Sequence, residues 1–351
     1  MLCQFSVKNY KSIRDEVTLD MQAAAISEHE DRIIKDQDGE MYLPVSAIYG
    51  PNGGGKSNVL AAFHTLIAKI LRPLFATEDN DEKVFFQRKI IVEPFAFSES
   101  KNEPTEFELF FRTDLAEYRY VLHVKRDIVI YESLDRVKLE TGRRSALFQR
   151  NNNGIDLKGA FAKLKVSDDL SKTLTLLSYL GIAYKGNAVV KDVLNWFEYG
   201  VEFLNYGNPI QELKMAVSTS EDVKNLMLEM IQEMDLDIVD FRVEEKENDM
   251  IEVFTKHCVD GVESEISLSD ESSGTKKLFG LLPFIAESLL TGTVLVIDEL
   301  DAKIHPVLLC HIIMMFNDLS INRHKAQLIF TSHDLSTMNS KVFRRDEIWF
   351  V

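Results

Sequence analysis

The chain has 351 residues, with 40 basic and 56 acidic side chains and a formal net charge of −16. That length supports a full hydrophobic core, and the acidic balance argues against indiscriminate DNA binding while leaving room for a local basic stripe. No apolar run reaches membrane-spanning length, no signal peptide precedes the first strand pattern, and Cys3, Cys258 and Cys310 lack metal-ligand spacing, so a soluble cytoplasmic protein with ordinary thiols is expected.

In chain order, Pro44-Val45-Ser46-Ala47-Ile48-Tyr49 predicts a buried strand, and a helical pattern follows in Val59-Leu60-Ala61-Ala62-Phe63. Between them Gly50-Pro51-Asn52-Gly53-Gly54-Gly55-Lys56-Ser57 fits G-x-x-x-x-G-K-[ST], a loop whose backbone N–H groups cradle the phosphates of a nucleoside triphosphate. Asn52, Gly53, Gly54, Gly55, Lys56, Ser57 and Asn58 form the expected nucleotide-binding set. Within it Lys56 reaches the β- and γ-phosphates and Ser57 binds magnesium.

From Thr105 to Ser133 apolar and polar residues alternate, predicting an antiparallel sheet beside a parallel one. Asn151-Asn152-Asn153-Gly154 reads as a loop leading into helical spacing from about Leu157 to Leu236. Three apolar stripes occur there: Leu174, Leu177, Tyr179 and Leu180; Val193, Leu194, Trp196 and Phe197; and Val223, Leu226, Met227 and Met230. Sustained heptads are lacking, so the segment is expected to be a short helical arm or lid packed as a small subdomain, not a coiled coil. Strands resume at Ile238–Val243 and Ile251–Lys256, joined by a turn at Asn248-Asp249. Two basic groups are candidates for nucleic-acid contact: Lys138, Arg143, Arg144 and Arg150, and then Lys341, Arg344 and Arg345.

Ser269 to Phe279 is a serine-glycine turn running into an apolar helix, which is either a plain N-cap or an anion site. The continuous apolar run Thr293-Val294-Leu295-Val296-Ile297 fits a parallel strand buried on both faces and ends in Asp298-Glu299. There Asp298 can hold magnesium, and Glu299 can orient and polarise the water that attacks the γ-phosphate. Gln327-Leu328-Ile329-Phe330 predicts another buried strand, ending in Thr331-Ser332-His333-Asp334. Glu347 to Val351 reads as the middle of a strand and leaves open a longer natural chain.

In this order and spacing the four pieces resemble the ABC-type ATPases, the nucleotide-binding heads of transporters and of SMC, RecF and OLD-like proteins. Gly50 to Ser57 matches their Walker A, Glu271-Ser272-Ser273-Gly274-Thr275 their signature, Asp298 and Glu299 their Walker B, and His333 their switch histidine. Phe5 to Ile13 looks like the opening strand of the SMC and RecF branch, and Asp298 to Pro306 with Ile329 to Asp334 is similar to AAA-type ATPases of bacterial abortive-infection systems. Glu271, Ser273 and Thr275 depart from transporter signatures, and His305 stands where transporters carry the D-loop aspartate, favouring the SMC and OLD-like branch. The glutamine of the Q-loop is not securely placed; Gln87, before the strand-like Ile90-Ile91-Val92, is a candidate.

The resemblance implies an α/β P-loop NTPase fold: an ABC-type head with a mixed parallel and antiparallel sheet and a helical insert. The expected division is 1–140 and 237–351 for the two halves of the head and 141–236 for the insert. It further implies slow hydrolysis of ATP with magnesium, with Lys56, Glu299 and His333 catalytic, and Ser272, Ser273 and Gly274 of one head contacting the nucleotide of another in a head-to-tail homodimer or higher oligomer. The expected role is a sensor or scaffold for a separately encoded nuclease or toxin in anti-phage defence. The alternative is a RecF- or SMC-like repair ATPase that binds DNA; a transporter head is disfavoured.

Overall fold

The computed structural model describes residues 1–76, 90–97, 99–167, 169–204, 220–234, 237–246, 250–302 and 304–351. Gln87 and the Asn248-Asp249 turn lie outside the described residues. At the centre is a five-stranded, all-parallel sheet of β5 (Val45–Tyr49), β11 (Val201–Leu204), β15 (Val294–Ile297), β16 (Gln327–Ser332) and β17 (Ile348–Phe350), in the order β11-β15-β16-β5-β17. Successive side chains of a strand point to opposite faces, and here both faces are covered. Ile48, Val294, Val296 and Ile329 enter one core, whereas Ala47, Tyr49, Leu295, Ile297, Leu328 and Phe330 enter the other. Two covered faces are why these strands read as continuous apolar runs.

The first core is closed by a seven-stranded antiparallel sheet, ordered β10-β9-β8-β7-β6-β1-β2. Its strands are β1 (Leu2–Lys8), β2 (Val17–Asp20), β6 (Thr105–Arg112), β7 (Ala116–Lys125), β8 (Ile128–Lys138), β9 (Arg144–Asn151) and β10 (Gly154–Leu157). A small hairpin, β3 (Ile34–Lys35) and β4 (Met41–Tyr42), lies outside it. The same core takes up α1 (Lys56–Phe75), α2 (Leu176–Ala183) and α3 (Ala188–Tyr199), with Trp196 of α3 stacked on Phe111 of β6 at a centroid distance of 4.3 Å. By length and composition α1 could cross a membrane, but it carries Lys56, Lys69 and Arg72, and Phe63, Leu66 and Ile70 of its apolar face lie in the core.

The second core lies between the parallel sheet and α4 (Glu221–Glu233), α5 (Ser273–Thr291) and α6 (Pro306–Asn317). A three-stranded antiparallel sheet of β12 (Ile238–Lys246), β13 (Met250–Val259) and β14 (Val262–Ser267) precedes α5 and adds Ile238, Phe241 and Val253 to this core. The two sheets that flank the first core are stitched by one buried amide. Gln327 of β16 accepts from the Leu2 N–H at 2.7 Å and donates to the carbonyls of Leu2 and Leu43, each at 3.1 Å.

The middle of the chain departs from expectation. Asn151 to Gly154 is the β9–β10 hairpin turn, not a loop opening a helical arm, and β11 within the same stretch belongs to the parallel sheet. Among the described residues the helices also do not form one subdomain: α2 and α3 pack in the first core and α4 in the second. One buried carboxylate explains how α2 is held. Glu132 of β8 accepts from the N–H groups of Leu176 (2.6 Å) and Leu177 (2.9 Å) at the start of α2, and from the Tyr120 hydroxyl at 2.9 Å. Its charge thereby meets two of the unpaired donors and the positive end of the helix. Ile90 to Val92 forms no strand, although Val92 is buried and its N–H donates to the Arg126 carbonyl at 2.7 Å.

Before β17, Glu347 is fully buried and accepts from the Arg344 N–H at 2.8 Å. Burial pushes its carboxyl up to about 8. Below about pH 4.3 the carboxyl is neutral in both folded and unfolded chains; as pH rises toward 8 only the unfolded chain ionises, so stability is lost. In urea titrations at pH 5 and pH 8, Glu347→Gln is therefore expected to gain stability relative to the wild type as pH rises. An unchanged difference between the two proteins would refute this assignment.

Candidate nucleotide site

Because the central strands are parallel, their carboxyl ends share one edge of the sheet, and there the loops after β5, β15 and β16 meet. They enclose a cavity of about 590 Å³ lined by Pro51, Asn52, Gly53, Gly54, Gly55, Lys56, Ser57 and Asn58 with Glu299 and His333. Gly55 caps α1 at φ 105°, a conformation L side chains avoid, and a Cβ there would lie 3.0 Å from Ser12 Oγ. A Cβ on Gly50 would meet the Val351 carbonyl oxygen at 2.4 Å, so the loop backbone can approach its neighbours only as glycine. Ser12 also accepts from Asn58 Nδ2 at 2.7 Å, fastening the turn after β1 to the start of α1.

Lys56 is almost fully buried, and its ammonium donates to Gly50 O at 2.7 Å, Pro51 O at 3.1 Å and His333 Nδ1 at 3.0 Å. His333 Nδ1 is thus an acceptor, which leaves the proton of a neutral ring on Nε2, 3.5 Å from Glu299 Oε1. Ser57 Oγ donates to Asp298 Oδ1 at 3.1 Å. A hydroxyl and a carboxylate, both hard oxygen donors, suit magnesium, and the glycine cradle with its lysine suits phosphate. The residues present therefore fit a magnesium–nucleotide complex.

Three residues that sequence reasoning did not single out hold this arrangement: Thr331, Asp301 and Lys277. The buried Thr331 hydroxyl donates to Asp298 Oδ1 at 2.5 Å and accepts from the Glu299 N–H at 2.7 Å. Asp301 accepts from the His333 N–H at 3.0 Å, and Lys277 of α5 reaches carbonyls of the turn after Asp298. The third acid in Asp-Glu-Leu-Asp and a lysine in the stripe Lys277, Leu281, Ile285 were the available signals.

Ser272, Ser273 and Gly274 do not line the cavity. They open α5, with Ser272 as the N-cap accepting from the Thr275 N–H at 3.1 Å, and Ser272 and Ser273 are exposed. Glu271 just before them accepts from Thr255 Oγ1 at 2.6 Å and pairs with His257 Nε2 at 2.7 Å, tying the turn to β13. His305 is the N-cap of α6. The basic groups lose members: Arg150 is buried and donates to the carbonyls of Leu174 (2.6 Å) and Ser171 (3.1 Å), and fully buried Arg344 pairs with Asp346 at 2.9 Å. Neither is free to meet a nucleic-acid backbone.

The profile of a family described as "AAA domain, putative AbiEii toxin, Type IV TA system" matches residues 45–339. The chain belongs to this AAA-domain family. Among curated proteins none matches in sequence. Among solved structures, the AAA domain is similar to an SMC head bound to the C-terminal winged-helix domain of ScpA, with TM-score 0.52 and 13% identity over 97% of this chain and 91% of that one. At that identity the likeness is one of fold, that of an SMC-type P-loop ATPase head. The SMC head from Thermotoga maritima (TM-score 0.45, 16% identity) and an Smc head with an extended coiled coil bound to a ScpA domain derived from Pyrococcus furiosus (0.48, 12%) also align over 97% of this chain and 91% of theirs.

Proposed function

We propose that this AAA protein binds ATP with magnesium in the cavity, hydrolyses it slowly, and closes head-to-tail with a second copy around two nucleotides. The observation that carries this is the meeting of Lys56, Ser57, Glu299 and His333 at one cavity, while Ser272 to Gly274 stay outside it on an exposed helix start. A helix start offers free N–H groups and a positive dipole to a phosphate, so a second copy can supply what the cavity lacks.

In this reading magnesium, when bound, offsets charge on the phosphates. Lys56 would donate to the β- and γ-phosphate oxygens, and Ser57 and Asp298, which already touch, would hold the metal, with Thr331 orienting the carboxylate. Glu299 would accept a hydrogen bond from the attacking water, and His333, whose Nε2 lies 3.5 Å from Glu299 Oε1, would sense the γ-phosphate. The signature serines release when the γ-phosphate leaves, so ATP governs assembly.

The family description mentions a putative toxin of a type IV toxin–antitoxin system, which supports a role in bacterial defence; a separately encoded effector as cytoplasmic partner completes the reading. Enclosure of Arg150 and Arg344 weighs against the DNA-binding alternative. Glu299→Gln is expected to lower turnover by about 100-fold or more and to accumulate an ATP-bound dimer. Light scattering with ATP and magnesium reads the dimer, and adding DNA or the neighbouring gene product separates a repair role from a defence scaffold. A variant that stays monomeric at saturating ATP would sink the sandwich.

A further inference from the structure

We propose that Lys277 and Asp301 are positioning residues for Glu299 and His333, through which the helix that carries Ser272 to Gly274 sets the geometry of hydrolysis. The inference rests on the ATPase reading above. Glu299 has φ 51°, a left-handed conformation that costs a non-glycine residue free energy and must be held by its surroundings. Its N–H is held by Thr331 Oγ1 at 2.7 Å, and its carbonyl accepts from the Ala302 N–H at 3.1 Å and from Lys277 Nζ at 3.4 Å. Lys277 also donates to the Ala302 carbonyl, so one buried ammonium spans both ends of the turn that carries Glu299.

Lys277 stands five residues after Ser272 on a continuous helix, and it joins that helix start to the Glu299 backbone although Ser272 does not touch the cavity. From the same turn, Asp301 Oδ2 accepts from the His333 N–H at 3.0 Å, with Oδ1 enclosed by the protein. That bond fixes the backbone from which the imidazole reaches Lys56 and Glu299. A shift of α5 on engaging a partner's nucleotide therefore moves the Glu299 carbonyl through Lys277 and the switch histidine through Asp301.

The test compares Lys277→Met, Asp301→Ala and Asp301→Asn with the wild type in the full chain, measuring ATP affinity by calorimetry, ATP-dependent dimerisation by light scattering, and kcat and KM. Lys277→Met and Asp301→Ala are expected to leave affinity and KM within about twofold and the dimer intact, while kcat falls about tenfold or more, because a misplaced reacting group costs rate, not binding. Asp301→Asn keeps an acceptor for the His333 N–H and should recover most of the lost kcat. Should Lys277→Met not fold, the Asp301 pair decides alone. Wild-type kcat in a folded variant, or affinity falling in step with kcat, would overturn the proposal. A wild-type chain that does not turn over ATP would instead overturn the ATPase reading, and this inference with it.

Discussion

Replacing Lys56 by Ala is expected to weaken ATP binding by about 100- to 1,000-fold, the loss of about 3–4 kcal/mol from charged hydrogen bonds inside a partly enclosed cavity. The side chain is almost fully buried and its ammonium converges with the glycine loop and His333, so no neighbouring cation replaces it in the cavity lining. Its own carbonyl partners belong to half-buried Gly50 and exposed Pro51, within reach of water, so the fold is expected to survive. Calorimetry with ATP and magnesium measures the affinity, and a urea titration checks the fold. Binding within about threefold of the wild type in a folded variant would remove the phosphate-site assignment.

The second large effect lies far from the cavity. Arg112 at the end of β6 bonds to Asp38 (2.8 Å), Glu117 (2.8 Å) and Asp36 (3.0 Å), and its guanidinium lies over the Tyr42 ring at 5.2 Å. Arg112→Met removes the cation and leaves three carboxylates facing one another. Breaking a buried pair by deleting one partner costs about 3–5 kcal/mol; the lower end, about 3, applies because Lys325 still holds Asp36 at 3.0 Å and Asp38 and Glu117 reach solvent. Burial opposes ionisation of Asp36, yet hydrogen bonds from Lys325 and Arg112 hold its carboxyl below the usual range. Its stabilising contribution is therefore present above about pH 3.9 and lost as pH falls through the folded-state value, so the cost of the substitution should shrink on acidification. Urea midpoints at neutral and acid pH read both effects. A loss under about 1 kcal/mol at neutral pH would mean that the cluster is solvated and weak.

The elements that build the cavity were legible because β5, β15 and β16 are buried on both faces, which leaves an unbroken apolar run before each functional residue. The same logic failed at β9 and β10, where Arg144 to Asn151 is interrupted by charge and Asn151 to Gly154 is as good a loop as a hairpin turn. Arg150 and Arg344 read as surface charge because the backbone carbonyls that hold them, such as those of Leu174 and Ala24, are brought near only by the folded chain. Thr331 was hidden for another reason: its task follows from register, since Phe330 pairs with Ile297 and so sets Thr331 beside Asp298. Lys277 lay in the apolar helix after the serine-glycine turn, where nothing in the sequence shows which carbonyls its ammonium meets.

The strand order of the parallel sheet has a bearing on synthesis. Residues 45–49 of β5 leave the ribosome early, yet both of their neighbours, β16 and β17, come after residue 326. Until then an apolar strand carries two unpaired edges, the condition under which nascent chains pair wrongly. The nucleotide-binding loop that follows β5 likewise gains Glu299 and His333 only as translation nears its close, so ATP cannot find its full set of contacts on a partly made chain. A chaperone that shields β5 during elongation would act before ATP does.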